Sequence, residues 1–127
     1  MDHPPYNTLS EGCPSRQVLE LISHKWTILI LYMLSLGTQR HGHMLRTIEG
    51  ISKKMLTQML RELEMNGLVS RKVYPVVPPM VEYNLTPLGM ELLPLIRALK
   101  EWAEQHLDAV TAARAHFQGQ TSVVEEN

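Results

Sequence analysis

Apolar residues recur along this chain first with a helical period, then briefly with a strand-like one, then with a helical period again. After Cys13-Pro14, Val18, Leu19, Leu21 and Ile22 set up one helical stripe. A break near Ser23-His24 precedes a second stripe through Trp26, Leu29, Ile30, Met33 and Leu34, which Gly37 ends. The segment "RHGHMLRTIEG" suits a short helix ending at Gly50, with Met44, Leu45 and Ile48 turned inward. Ser52 can cap a third full helix, because its side-chain oxygen accepts a backbone N–H left free in the first turn. That helix is predicted to run to Asn66, with Gly67 as its left-handed stop.

Beyond Gly67 the period shortens. "LVSRKVYP" and "MVEYNL" are rich in valine and tyrosine and flank "VVPP", so they predict two short strands joined by a proline-stiffened loop. Thr86 then caps, and Pro87 opens, a long final helix over about residues 87–114. Leu88, Leu92, Leu95, Leu99, Trp102 and His106 step by four and three along it, which is a heptad seam. Pro94 falls inside the seam and removes an intrahelical hydrogen bond, so a bend is expected there at a cost of about 3 kcal/mol. Residues 1–12 read as a flexible arm and 115–127 as a flexible tail around one domain, 13–114. The element order is that of a winged helix-turn-helix, mainly α with a small β-hairpin wing.

Charge adds a direction to this frame. The net formal charge is −1, yet residues 16–72 carry nine Lys and Arg against four Asp and Glu, whereas residues 73–127 carry three against seven. A basic middle beside an acidic end suggests a polyanion footprint on one face. The single cysteine, Cys13, excludes an intrachain disulfide framework and a cysteine-rich zinc site. His41 and His43, one residue apart with no partnering motif, make a weak metal signal, and neither a metal nor a cofactor is expected. No apolar run reaches the roughly 18 residues of a membrane span, and the start is neither basic nor apolar, so the expected location is cytoplasmic, at the nucleoid. At 127 residues the chain is short enough that dimerisation would help to complete its core.

The candidate chemistry lies in "GISKKMLTQMLRELEMNGLVSRKVYPVVPPMVEY". With Leu56 at the centre of the buried face and 100° per residue, Leu60 and Leu63 fall within about 40° and Met59 within about 60°. Lys54, Thr57, Gln58 and Arg61 fall about 100° to 160° away, which gathers hydrogen-bonding side chains on the outer surface. Lysine and arginine donate to guanine O6 and N7, glutamine pairs with adenine N6 and N7, and threonine offers a hydroxyl or a methyl. Ser52 and Lys53 stand at the helix start, where free N–H groups suit a phosphate. Arg40, Arg71 and Lys72 are assigned to backbone contacts around the wing, whose tip carries no charge.

"CPSRQVLELISHKWTILILYML", the stretch from Gly50 to Gly89 and "LKEWAEQH" together resemble the HxlR-type, MarR-like family of bacterial winged helix-turn-helix transcription regulators. The resemblance spans residues 13 to about 106. It implies a homodimer, built by the first and last helices, that binds an inverted-repeat operator in double-stranded DNA. The interface expected is Leu88, Leu92, Leu95, Leu99 and Trp102, with His24 and His106 capping helices or filling the seam. The chain departs from the family at Arg40-His41-Gly42-His43-Met44, where members usually read arginine, phenylalanine, any residue, glutamate, leucine, and at Glu49, often a proline. Cys13 stands before Pro14 at a helix start, where the helix dipole favours thiolate. In several family members the equivalent cysteine senses electrophiles or oxidants, which makes such a molecule a candidate effector. Two alternatives are a winged-helix protein-interaction module without DNA binding and a thiol enzyme using Cys13. Against the enzyme stand the absence of a resolving cysteine, of a cofactor loop and of a nucleophile, base and orienter set.

Overall fold

In a computed structural model, which describes residues 6–125 and side chains to residue 120, the elements run α1 (Pro14–Ile22), α2 (Lys25–Leu34), β1 (Gln39–Arg40), α3 (His41–Thr47), α4 (Lys53–Met65), β2 (Val69–Tyr74), β3 (Met80–Leu85), α5 (Pro87–Glu91), α6 (Leu93–Gln105) and α7 (Leu107–Glu125). This is a winged helix-turn-helix, with α3 and α4 as its central pair and β2 and β3 as the wing.

Local chemistry sets the helix ends. His24 Nδ1 accepts the Trp26 amide at 3.2 Å, Ser52 Oγ the Met55 amide at 3.0 Å and Thr86 Oγ1 the Gly89 amide at 3.0 Å, which starts α2, α4 and α5. Pro14 and Pro87 occupy first turns, where a missing N–H has no partner to lose. Gly67, at φ +76°, turns the chain out of α4, and the Leu68 amide closes the end by donating to Leu63 O at 2.9 Å. Gly89 is required for a different reason: a Cβ there would lie 2.1 Å from Leu68 O, so only glycine lets α5 approach the start of β2.

The chain divides into two compact units at Leu93/Pro94. The first has its core where α2, α3 and α4 meet the sheet. Ile30, Leu31, Met44, Leu56, Leu60, Leu63 and Val69 are almost completely buried there, each contributing on the order of 2 kcal/mol of hydrophobic stabilisation. The sheet has the order β1-β3-β2, all antiparallel, with Arg40 and Lys72 both opposite Glu82 and Gln39 and Arg71 both opposite Tyr83.

Several expectations change. β1 is too short to show a period and exists because Gln39 and Arg40 pair with β3. In α2, Thr27 is buried and Leu29 is exposed, since the covered face runs through Thr27, Ile30, Leu31 and Leu34. Thr27 Oγ1 is left without a hydrogen-bond partner among the described residues. α1 buries none of its residues fully, and Val18 and Leu19 are exposed. The long final helix is three helices: the chain breaks at Leu92, which places Pro94 in the first turn of α6 and avoids the internal kink. Leu88 therefore lies on α5 and Leu92 at the break, outside α6. Of the expected arm, residues 6–12 form turns tied to α1 by Arg16 Nη1 donating to Leu9 O at 3.0 Å, and residues 1–5 lie outside the described residues. The helical backbone continues to Glu125 where a tail was expected, and residues 126–127 lie outside the described residues.

The second unit holds α6 and α7. Ile96 is buried, while Leu95, Leu99 and Trp102 are exposed. His106 stacks on Trp102, with ring centroids 4.5 Å apart and planes at 19°, so this histidine packs on its own chain. No helix among the described residues is long and apolar enough to cross a membrane.

Candidate nucleic-acid interface

α4 turns Leu56, Met59, Leu60 and Leu63 inward and leaves Lys53, Lys54, Thr57, Gln58 and Arg61 exposed, the division that the helical period predicts. Lys53, Lys54 and Arg61 have no carboxylate within ion-pair distance among the described residues. Of the cations elsewhere, Arg16 pairs with Glu20, Lys100 with Glu104, and Arg71 Nε with Glu64 Oε2 at 3.6 Å. A free cation on a rigid helix keeps its full electrostatic capacity for an external anion. Ser52 Oγ accepts the Met55 amide, which fixes the start of α4.

The wing separates two residues that sequence reasoning grouped. Arg71 and Lys72 are neighbours on β2, and successive strand side chains point to opposite faces. Arg71 shares its face with Tyr83 and is held by Glu64 at the end of α4. Burial raises the Tyr83 hydroxyl above its ordinary pKa, the Arg71 charge counters this, and Glu64 adds to it. Lys72 lies on the other face, in one cross-strand row with Glu82 and Arg40, with its ammonium 4.8 Å from the centroid of the Tyr74 ring. Tyr74 in turn donates its hydroxyl hydrogen to Glu82 Oε2 at 3.1 Å. Arg40 and Lys72 thus share a face that Arg71 does not. The wing loop, which contains a cis Val77-Pro78 bond, is exposed and uncharged.

His41 has a partner that sequence reasoning missed. Its Nε2 lies 2.9 Å from Thr57 Oγ1, a bond between the first residue of α3 and the outer face of α4. Burial first, and the Lys53 charge second, hold the His41 ring below the usual histidine pKa. No local pattern links residues 16 apart on two helices. No group of three or more His, Cys, Asp and Glu side chains among the described residues could hold a metal.

Cys13 is the N-cap of α1 and is buried. Its Sγ lies 3.1 Å from Ser15 Oγ. That hydroxyl lowers the thiol pKa most, burial raises it, and the backbone amides of Arg16 and Ser15 lower it further. The helix start was legible in Cys13-Pro14, and the serine two residues on was the available signal for a hydrogen-bonded thiol.

Comparison with known proteins adds to this geometry. The profile of the HxlR-like helix-turn-helix family matches residues 21–111. The HTH-type transcriptional regulator YtfH of Escherichia coli (strain K12) is 47% identical over 108 residues, covering 85% of this chain and 86% of its own. The structure of a ytfH regulator from Salmonella typhimurium superposes with a TM-score of 0.82 at 45% identity, covering 87% of this chain and 99% of that one. The redox regulator HypR in its oxidized form superposes with a TM-score of 0.69 at 42% identity, covering 73% of this chain and 96% of that one.

Proposed function

From a chain that belongs to the HxlR-like helix-turn-helix family, we propose a DNA-binding transcriptional regulator that binds an inverted-repeat promoter operator as a homodimer. α4 enters the major groove. Lys54, Gln58 and Arg61 address base edges, Thr57 offers a hydroxyl or methyl, and Lys53 meets phosphate beside the α4 start that Ser52 caps. Arg40 and Lys72 follow the backbone from one face of the sheet, and Arg71 braces the wing on Glu64. The observation that carries this reading is the set of outward cations on α4 with no carboxylate partner.

The dimer uses the exposed apolar side chains Leu88, Leu95, Leu99 and Trp102 and the half-buried Leu92. It sets the two α4 helices about one DNA turn apart, roughly 34 Å. A gel shift with the gene's own upstream region at two salt concentrations tests the reading. Specific binding is expected to weaken steeply with salt, by about one charge's worth per phosphate contact. Lys54→Ala with Arg61→Ala is expected to weaken it by at least about 10-fold, one or more kcal/mol per lost base contact. Unchanged affinity in that variant removes the recognition role from α4.

A second reading concerns control. The hydrogen-bonded, pKa-lowered thiol of Cys13 and the similarity to HypR support a thiol that an oxidant or electrophile modifies, by an adduct or by a disulfide between subunits. Diamide or a quinone is expected to abolish operator binding by the native protein and to leave Cys13→Ser unaffected. Loss of binding by both assigns the effect elsewhere.

A further inference from the structure

The bond between His41 and Thr57 joins the two helices of the helix-turn-helix at the surface proposed to read DNA. Lys53, Thr57 and Arg61 follow one another at intervals of four on α4, so Thr57 sits between two free cations in one row. We propose that His41 is the positioning and specificity-determining residue for Thr57, fixing which way its hydroxyl hydrogen points and hence which base or phosphate atom Thr57 can meet. This rests on the DNA-binding reading above.

The chemistry follows from the donors and acceptors. When the imidazole is neutral with its proton on Nδ1, the bare Nε2 can only accept, so the Thr57 hydroxyl donates its hydrogen inward. The oxygen that faces outward can then only accept, which matches the amino groups of adenine or cytosine. When a solvent proton adds to Nε2, the ring donates to Oγ1, and the hydroxyl hydrogen is released to point outward. Thr57 then becomes a donor, which matches guanine O6 or N7, thymine O4 or a phosphate oxygen. The same proton also gives the interface one more positive charge.

The surroundings make this charge sensitive to DNA. α3 packs against α4, β1 and β3. The charged or titratable groups on those elements are Lys53, Lys54, Arg61, Glu62 and Glu64 of α4, Arg40 of β1 and Glu82 and Tyr83 of β3, with His43 and Arg46 on α3 itself. Beside His41 lies a cleft of about 550 Å³ whose other walls are Arg40, Gly42 and the uncharged wing residues Val76–Val81. Burial first, and the Lys53 cation second, disfavour protonation of the ring in the free protein. An approaching phosphate favours the charged ring, so operator binding is expected to take up a proton and to strengthen as pH falls.

The test measures binding of the full-length protein to its upstream operator, and to single-base variants of it, at pH 5.5 and 7.5. His41→Gln retains a side chain that can bond Thr57 and cannot titrate, and Thr57→Val retains the shape and loses the hydroxyl. For the native protein, affinity is expected to rise up to about 10-fold at the lower pH, with a changed base preference at one position per half-site. His41→Gln is expected to bind within about 3-fold of native at pH 7.5 with a flat pH profile, an estimate that follows from its retained hydrogen bond. Thr57→Val is expected to lose the pH-dependent base preference while His41 is intact. A native pH profile and base preference in His41→Gln, or an unchanged pH-dependent preference in Thr57→Val, overturns the proposal while leaving DNA binding standing. Absence of operator binding by the native protein at both pH values overturns the DNA-binding reading and this proposal with it.

Discussion

α4 and α6 are both amphipathic helices of 13 residues, and their apolar faces end differently. In α4, Leu56, Leu60 and Leu63 are at most 1% exposed, because α2 and the sheet cover them. In α6, Leu95, Leu99 and Trp102 are between 55% and 61% exposed. Hydrophobic periodicity says that a face is to be covered, and says nothing of whether the cover comes from the same chain. A row of large exposed apolar side chains is characteristic of an interface. The difference therefore separates residues that stabilise each protomer from residues proposed to join two of them.

Four substitutions test that separation, from the largest effect to the smallest. Leu56→Ala leaves a cavity in a packed core and is expected to destabilise the protein by about 3 kcal/mol, read by urea denaturation. An effect below about 1 kcal/mol would mean that α4 is not the wall of the core. Leu99→Asp, on the open face of α6, is expected to leave the helical circular dichroism spectrum intact and to weaken self-association by about 30-fold, on the order of 2 kcal/mol. Sedimentation that shows an unchanged oligomer would take this face out of the interface. Ser52→Ala removes the α4 cap and is expected to cost about 1 kcal/mol in thermal or urea unfolding. Thr27→Val replaces a buried hydroxyl that lacks a partner and is expected to stabilise the fold by up to about 1 kcal/mol. A destabilising result there would reveal a partner for the hydroxyl, such as a buried water.

Much of the frame was legible because its signals are local. Ser52, Thr86 and Gly67 act through residues one to five positions away, so the boundaries of α4 and the start of α5 could be read directly. The wing strands were legible from their valine and tyrosine content and the prolines between them. The outward face of α4 followed from the helical period alone. Less legible were features made by distant residues. β1 depends on pairing with β3, more than 40 residues later, and two residues carry no period of their own. The buried face of α2 differs from the periodic expectation at Thr27 and Leu29 because an almost wholly apolar helix offers little contrast between its sides. The heptad steps predict one continuous final helix because they run through the break at Leu92, and the cap that separates α5 from α6 has no strong residue signal.

The candidate interface divides in the same way. The amino-acid sequence by itself determined which side chains of α4 are polar and outward, where that helix begins and that the wing tip is uncharged, because helical geometry and capping need only near neighbours. Tertiary structure alone decided that Arg71 is held by Glu64, that Lys72 shares the opposite face with Arg40, and that His41 holds the Thr57 hydroxyl. The pairing of β2 with β3 and the packing of α3 on α4 set those partners, and both depend on how the whole chain closes around its core.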